Sequence, residues 1–342
     1  MLPWDVELSG RLDRRTITSA LLVGNPLGDP HERPIWVYVP PGYDDNQDIN
    51  YPAVYVIQGY AGHVSMWANR SPFRQPFIET ADAVFAEGRA PGCVVVYVDA
   101  WTRYGGSQFV DSTGTGNYHS YLCQEVVPWV DEHYRTIADR ESRGIAGKSS
   151  GGFGAMITAM LRPDLFGALA THSGDNLYEL CYIPMFAKGA RALRQYDQDI
   201  MKWWEDFCSR PAFSNDADMT LVLLLGVSAC FSAAADGTPE LPFDPMSGVL
   251  RPEQWQRWLD WDPVRMVPQY REAVRSLRAV WIDAGTRDEA NLDLGAEAFR
   301  AEVTKAGLPE DRLHFELFDA GHGGIEYRYP LSLAWLAERL AR

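Results

Sequence analysis

No stretch of the sequence reaches the roughly eighteen uninterrupted apolar residues that a membrane-crossing helix needs. Residues 1–15 scatter charges where a secretory leader would carry an apolar core. The expectation is a soluble, cytoplasmic protein without a membrane partner. Positive charge is also scarce: 31 Lys and Arg stand against 46 Asp and Glu, a formal net charge of -15. That balance argues against nucleic acid as a partner for the bulk surface. The five cysteines (Cys93, Cys123, Cys181, Cys208, Cys230) form no Cys-x-x-Cys pair and are odd in number, so they read as reduced packing residues. The 29 glycines and 22 prolines follow no period, which leaves neither a repeat array nor a low-complexity linker.

What is present is an ordinary globular composition, 46% hydrophobic and 23% charged, long enough to bury a substantial core. Short β-branched and aromatic runs at 34–39, 53–57, 93–98, 143–146, 168–172, 279–283 and 314–318 read as buried strands. Helix-period segments at 119–134, 152–161, 292–306 and 330–340 lie between and after them. This alternation predicts an α/β fold, a mostly parallel sheet with helices on both faces, in one domain spanning 1–342. Residues 176–270 break the alternation and hold Trp203, Trp204, Trp255, Trp258 and Trp261. They read as a mainly helical insertion, either a satellite packing its own tryptophans or a lid shaping a pocket.

Gly147-Lys148-Ser149-Ser150-Gly151 matches Gly-x-Ser-x-Gly and falls between a predicted strand and a predicted helix. A serine on so sharp a turn needs glycine two before and two after it, because a Cβ there would strike neighbouring backbone. The same Gly-Lys-Ser could end a phosphate-binding loop, but that loop needs glycine at 142, where the chain has Ser142. Ser149 is therefore the candidate nucleophile, with the Ser150 amide at the helix start as one oxyanion donor.

A serine needs a base and an orienting acid, in the chain order Ser, Asp or Glu, His for this kind of sheet. His322, in the glycine-rich loop 319–324 after the last strand, is the candidate base; His314 reads as a strand-face residue and His63 as a loop histidine. Asp288 is the candidate acid, with Asp283 and Glu289 as alternatives and Asp293 as a helix-start carboxylate. The turn Gln58-Gly59-Tyr60 supplies the second oxyanion amide from Tyr60. Trp101 and Tyr104 are candidates for substrate contact, with core packing as the open alternative.

These residues resemble the putative-esterase family of α/β-hydrolases, which includes S-formylglutathione hydrolases, feruloyl esterases, enterochelin-type esterases and mycolyltransferases. The likeness is carried in order by 37–43 (Val-Tyr-Val-Pro-Pro-Gly-Tyr), Gln58-Gly59, Gly105-Gly106-Ser107, the 121–134 helix with Glu125 and Pro128, the 147–152 elbow, Ser173-Gly174, Gly285-Thr286-Arg287-Asp288-Glu289 and Gly321-His322. The resemblance implies an α/β-hydrolase fold, Asp288 as the acid and Tyr60 at the oxyanion turn. Gln58 departs from the histidine many members carry, and the 176–270 insertion is longer than the usual connection. The expected function is a serine esterase acting on a small-molecule ester, aryl or bulky given 12% aromatic residues. Two alternatives stand beside it: an acyltransferase that uses an alcohol acceptor, and an inactive scaffold of the same fold. No metal or organic cofactor is expected, and a homo-oligomer is compatible with the sequence.

Overall fold

The computed structural model describes residues 6–71 and 73–341, so the first five residues of the 1–15 stretch lie outside them. Ten strands form among the described residues: β1 (Arg11–Thr18), β2 (Glu32–Val39), β3 (Ala53–Ile57), β4 (Val94–Val98), β5 (Asp111–Ser112), β6 (Gly116–Asn117), β7 (Arg143–Lys148), β8 (Ala168–His172), β9 (Ala279–Gly285) and β10 (Leu313–Phe318). Apart from the β5–β6 hairpin they make one eight-stranded sheet in the order β1-β2-β4-β3-β7-β8-β9-β10. β1, β2 and β4 pair antiparallel, and every pairing from β4 to β10 is parallel.

Four helices belong to the first half: α1 (Phe77–Ala86), α2 (Tyr118–Ser120), α3 (Val127–His133) and α4 (Ser150–Leu161). Between β8 and β9 run α5 (Tyr178–Cys181), α6 (Ile183–Leu193), α7 (Ile200–Ser209), α8 (Asp218–Phe231), α9 (Pro252–Leu259), α10 (Pro263–Met266) and α11 (Arg271–Ser276). Helices α12 (Leu292–Ala306) and α13 (Arg328–Leu340) complete the chain. The segment expected as one helix over 119–134 is divided: a π-helical turn at Tyr121–Val126 separates α2 from α3. Pro128, with no N–H to give to a preceding turn, sits in the first turn of α3.

Successive strand residues point to opposite faces, and the core divides accordingly. Val54, Val56, Val95 and Tyr97 join Val84 of α1 and Leu336 of α13 on one side. Tyr55, Ile57, Val96 and Val98 join Phe153 of α4, Leu224 of α8 and Phe299 of α12 on the other. The central strands β3 and β4 are buried throughout, as their unbroken apolar runs require. The tryptophans of 176–270 are part of the second cluster: Trp203 and Trp258 are fully buried, with indole N–H groups donating to Asp218 and Ser232. All five cysteines are free, and all but Cys208 are buried. No helix among the described residues is long and apolar enough to cross a membrane.

The strand order also fixes where a site can form. From β3 the chain moves to β4 on one side, and later returns to place β7 on the other. Such a reversal opens a crevice beyond the carboxyl ends of the two strands. Ile57 at the end of β3 pairs in register with Gly147 of β7, so Gly59-Tyr60 and Lys148-Ser149 emerge side by side.

Candidate active site

Ser149 joins β7 to α4 with φ 57° and ψ -127°, a conformation that costs a residue bearing Cβ. The turn is possible because its flanks are glycine. A Cβ on Gly147 would come within 2.2 Å of Gly151 O, and one on Gly151 within 2.4 Å of Ile57 O. A Cβ on Gly59 would stand 3.0 Å from Lys148 O, which shows how closely the turn after β3 lies on the elbow. Lys148 points away to pair with Glu326 at 3.2 Å.

The distant candidates meet at the serine hydroxyl. His322 Nε2 lies 3.1 Å from Ser149 Oγ, and His322 Nδ1 lies 2.9 Å from Asp288 Oδ2. Asp288 follows β9 and His322 follows β10, adjacent parallel strands whose ends pair Gly285 with Phe318. Burial opposes ionisation of the Asp288 carboxyl. The hydrogen bond and charge of His322, with the Ala290 N–H, outweigh it and hold the group below the usual carboxylate range.

The alternative acids have other partners. Asp283 Oδ1 accepts from His172 Nδ1 at 2.7 Å, and Asp283 Oδ2 accepts from Trp281 Nε1 and Arg328 Nε. His172 Nε2 reaches Ser332 Oγ at 2.9 Å, so Ser332, His172 and Asp283 repeat the serine, histidine and carboxylate order inside the core. Both His172 and Asp283 are sealed from solvent, and no ester could reach them. Glu289 accepts the His322 backbone N–H at 2.8 Å and thereby anchors the loop that carries the imidazole. Asp293 lies in the first turn of α12, favourable for a carboxylate beside a helix start. His314 stacks on Trp281 at 3.6 Å between ring centres, and His63 caps the short turn at Val64–Ala68.

Among the described residues, neither the Tyr60 nor the Ser150 backbone N–H donates to a protein acceptor. The Tyr60 side chain is fixed: its hydroxyl lies between the carbonyl oxygens of Tyr104 and Val222, tying the turn after β3 to the loop after β4 and to α8. Tyr104 is buried, edge-on to Trp204 at 5.2 Å. Trp101 is half-buried, its carbonyl accepting from Arg33 at 2.6 Å.

One close neighbour escaped the reading of the sequence. Asp175, just past β8 and 5% exposed, places Oδ1 3.3 Å from Ser149 Oγ. Its Oδ2 accepts from Ser150 Oγ and Tyr182 Oη, each at 2.9 Å. Its signal was positional: it follows Ser173-Gly174 at the end of the strand beside β7, which only the strand order makes visible.

The sheet and its serine elbow define an α/β-hydrolase. Residues 29–332 match the family described as "Putative esterase", and the chain belongs to that family. It is 27% identical over 154 residues to YbbA, an uncharacterized protein of Bacillus subtilis strain 168, a match covering 42% of this chain and 57% of YbbA. It is 25% identical over 161 residues to an endo-1,4-beta-xylanase/feruloyl esterase of Xylanibacter ruminicola, covering 46% of this chain and 21% of that protein. The chain thus spans little more than half of the first of these curated relatives and a fifth of the second. Among solved structures, a ferulic acid esterase superposes with a TM-score of 0.62 at 19% identity, covering 97% of this chain and 100% of the other. At that identity the superposition establishes the fold.

Proposed function

We propose that the protein is a serine esterase that cleaves carboxylic esters through an acyl-enzyme on Ser149. The observation that carries this reading is the unbroken hydrogen-bonded chain from Ser149 Oγ through His322 to Asp288, at 3.1 and 2.9 Å. His322 Nε2 takes the hydroxyl proton as Oγ attacks the ester carbonyl. Asp288 holds the imidazole in the tautomer that can accept, and favours its charged form. The Tyr60 and Ser150 amides hold the oxyanion, and His322 passes its proton to the departing alcohol. Water then repeats the cycle on the acyl-enzyme and releases the acid. In this reading residues 1–342 work as one domain, with 176–270 roofing the site. The relatives named as feruloyl and ferulic acid esterases favour aryl acids among the acyl groups to test.

The test is a panel of p-nitrophenyl and aryl esters with product analysis, with and without added alcohols. Release of free acid supports the esterase. New ester in place of free acid would show the transferase, and no turnover with any ester would favour an inactive scaffold. The oxyanion assignment has its own check, since a Cβ on Gly226 would stand 2.3 Å from Tyr60 Oη. Gly226→Ala is expected to displace Tyr60 and lower kcat about 10- to 100-fold with a smaller change in KM. Equal activity in a folded variant would remove Tyr60 from the oxyanion site.

A further inference from the structure

The carboxyl of Asp175 is used by nothing described so far, although it touches the oxygen that would react. Its surroundings are asymmetric. Oδ2 receives two hydroxyl donors, Ser150 and Tyr182, whereas Oδ1 faces Ser149 Oγ alone. A neutral carboxylic acid fits this arrangement, with Oδ2 as its carbonyl oxygen and Oδ1 as its hydroxyl. The loop is held in place as well: Asp175 N donates to Ser149 O at 3.2 Å, and Ser149 N donates to the His172 and Ser173 carbonyls.

We propose that Asp175 is a further catalytic residue: as a neutral acid it donates a hydrogen bond to Ser149 Oγ, which leaves the serine's own proton directed at His322. This role rests on the acyl-enzyme reading above. During deacylation, water adds to the acyl carbon and gives a proton to His322. The bond from that carbon to Oγ then breaks, its electron pair goes to Oγ, and His322 returns the proton there. Asp175 keeps its proton throughout and supplies only the hydrogen bond to the oxygen that is gaining charge.

Ionised, the same carboxylate would act in the opposite sense. The Ser149 proton would have a charged acceptor 3.3 Å away in competition with His322, and a negative charge would stand beside the tetrahedral oxyanion. The titratable groups around Asp175 are His322 from the loop after β10, and Tyr178, Cys181 and Tyr182 from α5 and its end. Among the described residues no lysine or arginine hydrogen-bonds to it. Burial raises its carboxyl above the usual range, against the hydroxyl donors and the His322 charge.

The experiment compares the whole protein with Asp175→Asn and Asp175→Ala, using burst and steady-state hydrolysis of p-nitrophenyl acetate from acid to alkaline pH. Asparagine presents a carbonyl to Ser150 and Tyr182 and an N–H to Oγ, so it should lose less deacylation than alanine and show a flatter alkaline fall than the native protein. Alanine should lower deacylation about 10- to 100-fold, beyond any loss in Ser149 phosphonylation. The proposal is overturned if asparagine loses as much as alanine, which would mean the ionised form is needed. A native alkaline limb that survives in Asp175→Asn, or native turnover in a folded Asp175→Ala, overturns it equally. Native protein without ester turnover, or Ser149→Ala with native turnover, would instead bring down the esterase reading itself.

Discussion

Ser149→Ala is expected to reduce ester turnover by roughly four to six orders of magnitude while the thermal midpoint stays close to native. The substitution keeps a Cβ on a backbone that already tolerates one, so the elbow at φ 57° is not further strained. It removes only Oγ and its contacts with His322 and Asp175. On the proposed mechanism the Tyr60 and Ser150 amides remain and set the floor of residual activity. Because the serine and histidine act as one device, Ser149→Ala combined with His322→Ala should be no slower than Ser149→Ala alone. Losses that multiply in the double variant would mean that the two residues act separately.

Asp283→Ala should produce the largest loss of stability, about 3–5 kcal/mol by urea unfolding. The carboxylate is sealed in the core and satisfies His172, Trp281 and Arg328 together. Its removal leaves the His172 imidazole and the Trp281 indole N–H without their buried acceptor, and Arg328 with Glu316 as its remaining carboxylate. Burial works against the ionised Asp283, yet His172, Trp281 and Arg328 hold its carboxyl below the usual range. A depressed acid stabilises fully above the unfolded carboxylate value of about 4. That stabilisation is lost as pH falls through the lower folded value, so this contribution should fade only in acid. Asp288→Ala provides the contrast, costing turnover far more than stability. If Asp283→Ala proved neutral to folding, the buried network would not be a structural element.

Much of this was legible in the sequence because the signals were local. The strand at 168–172 and the helix at 292–306 have the expected ends, since apolar runs bounded by turn residues leave little freedom. β1 was not read because Arg-Leu-Asp-Arg-Arg-Thr-Ile-Thr is an edge strand with one fully buried residue, Ile17, and charges mask its alternation. α1 was not read because Asp82 falls on its buried face, where it accepts the Ser9 and Gly10 amides and the Tyr38 hydroxyl. The serine and histidine candidates stood out through glycine and loop context. The loop context already puts Asp288 ahead of Asp283 and Glu289, and the pairing of β9 with β8 and β10 adds which carboxylate faces which imidazole. Asp175 had no motif of its own and became visible only when β8 was placed beside β7.

The central claim is that Ser149 is a nucleophile activated by His322, and covalent capture tests it most directly. Native protein, Ser149→Ala and His322→Ala would be treated with a fluorophosphonate and mapped by peptide mass spectrometry. The account predicts one adduct, on Ser149, absent from Ser149→Ala and formed far more slowly in His322→Ala. An unlabelled Ser149 in folded native protein, or labelling as fast without His322 as with it, would contradict it.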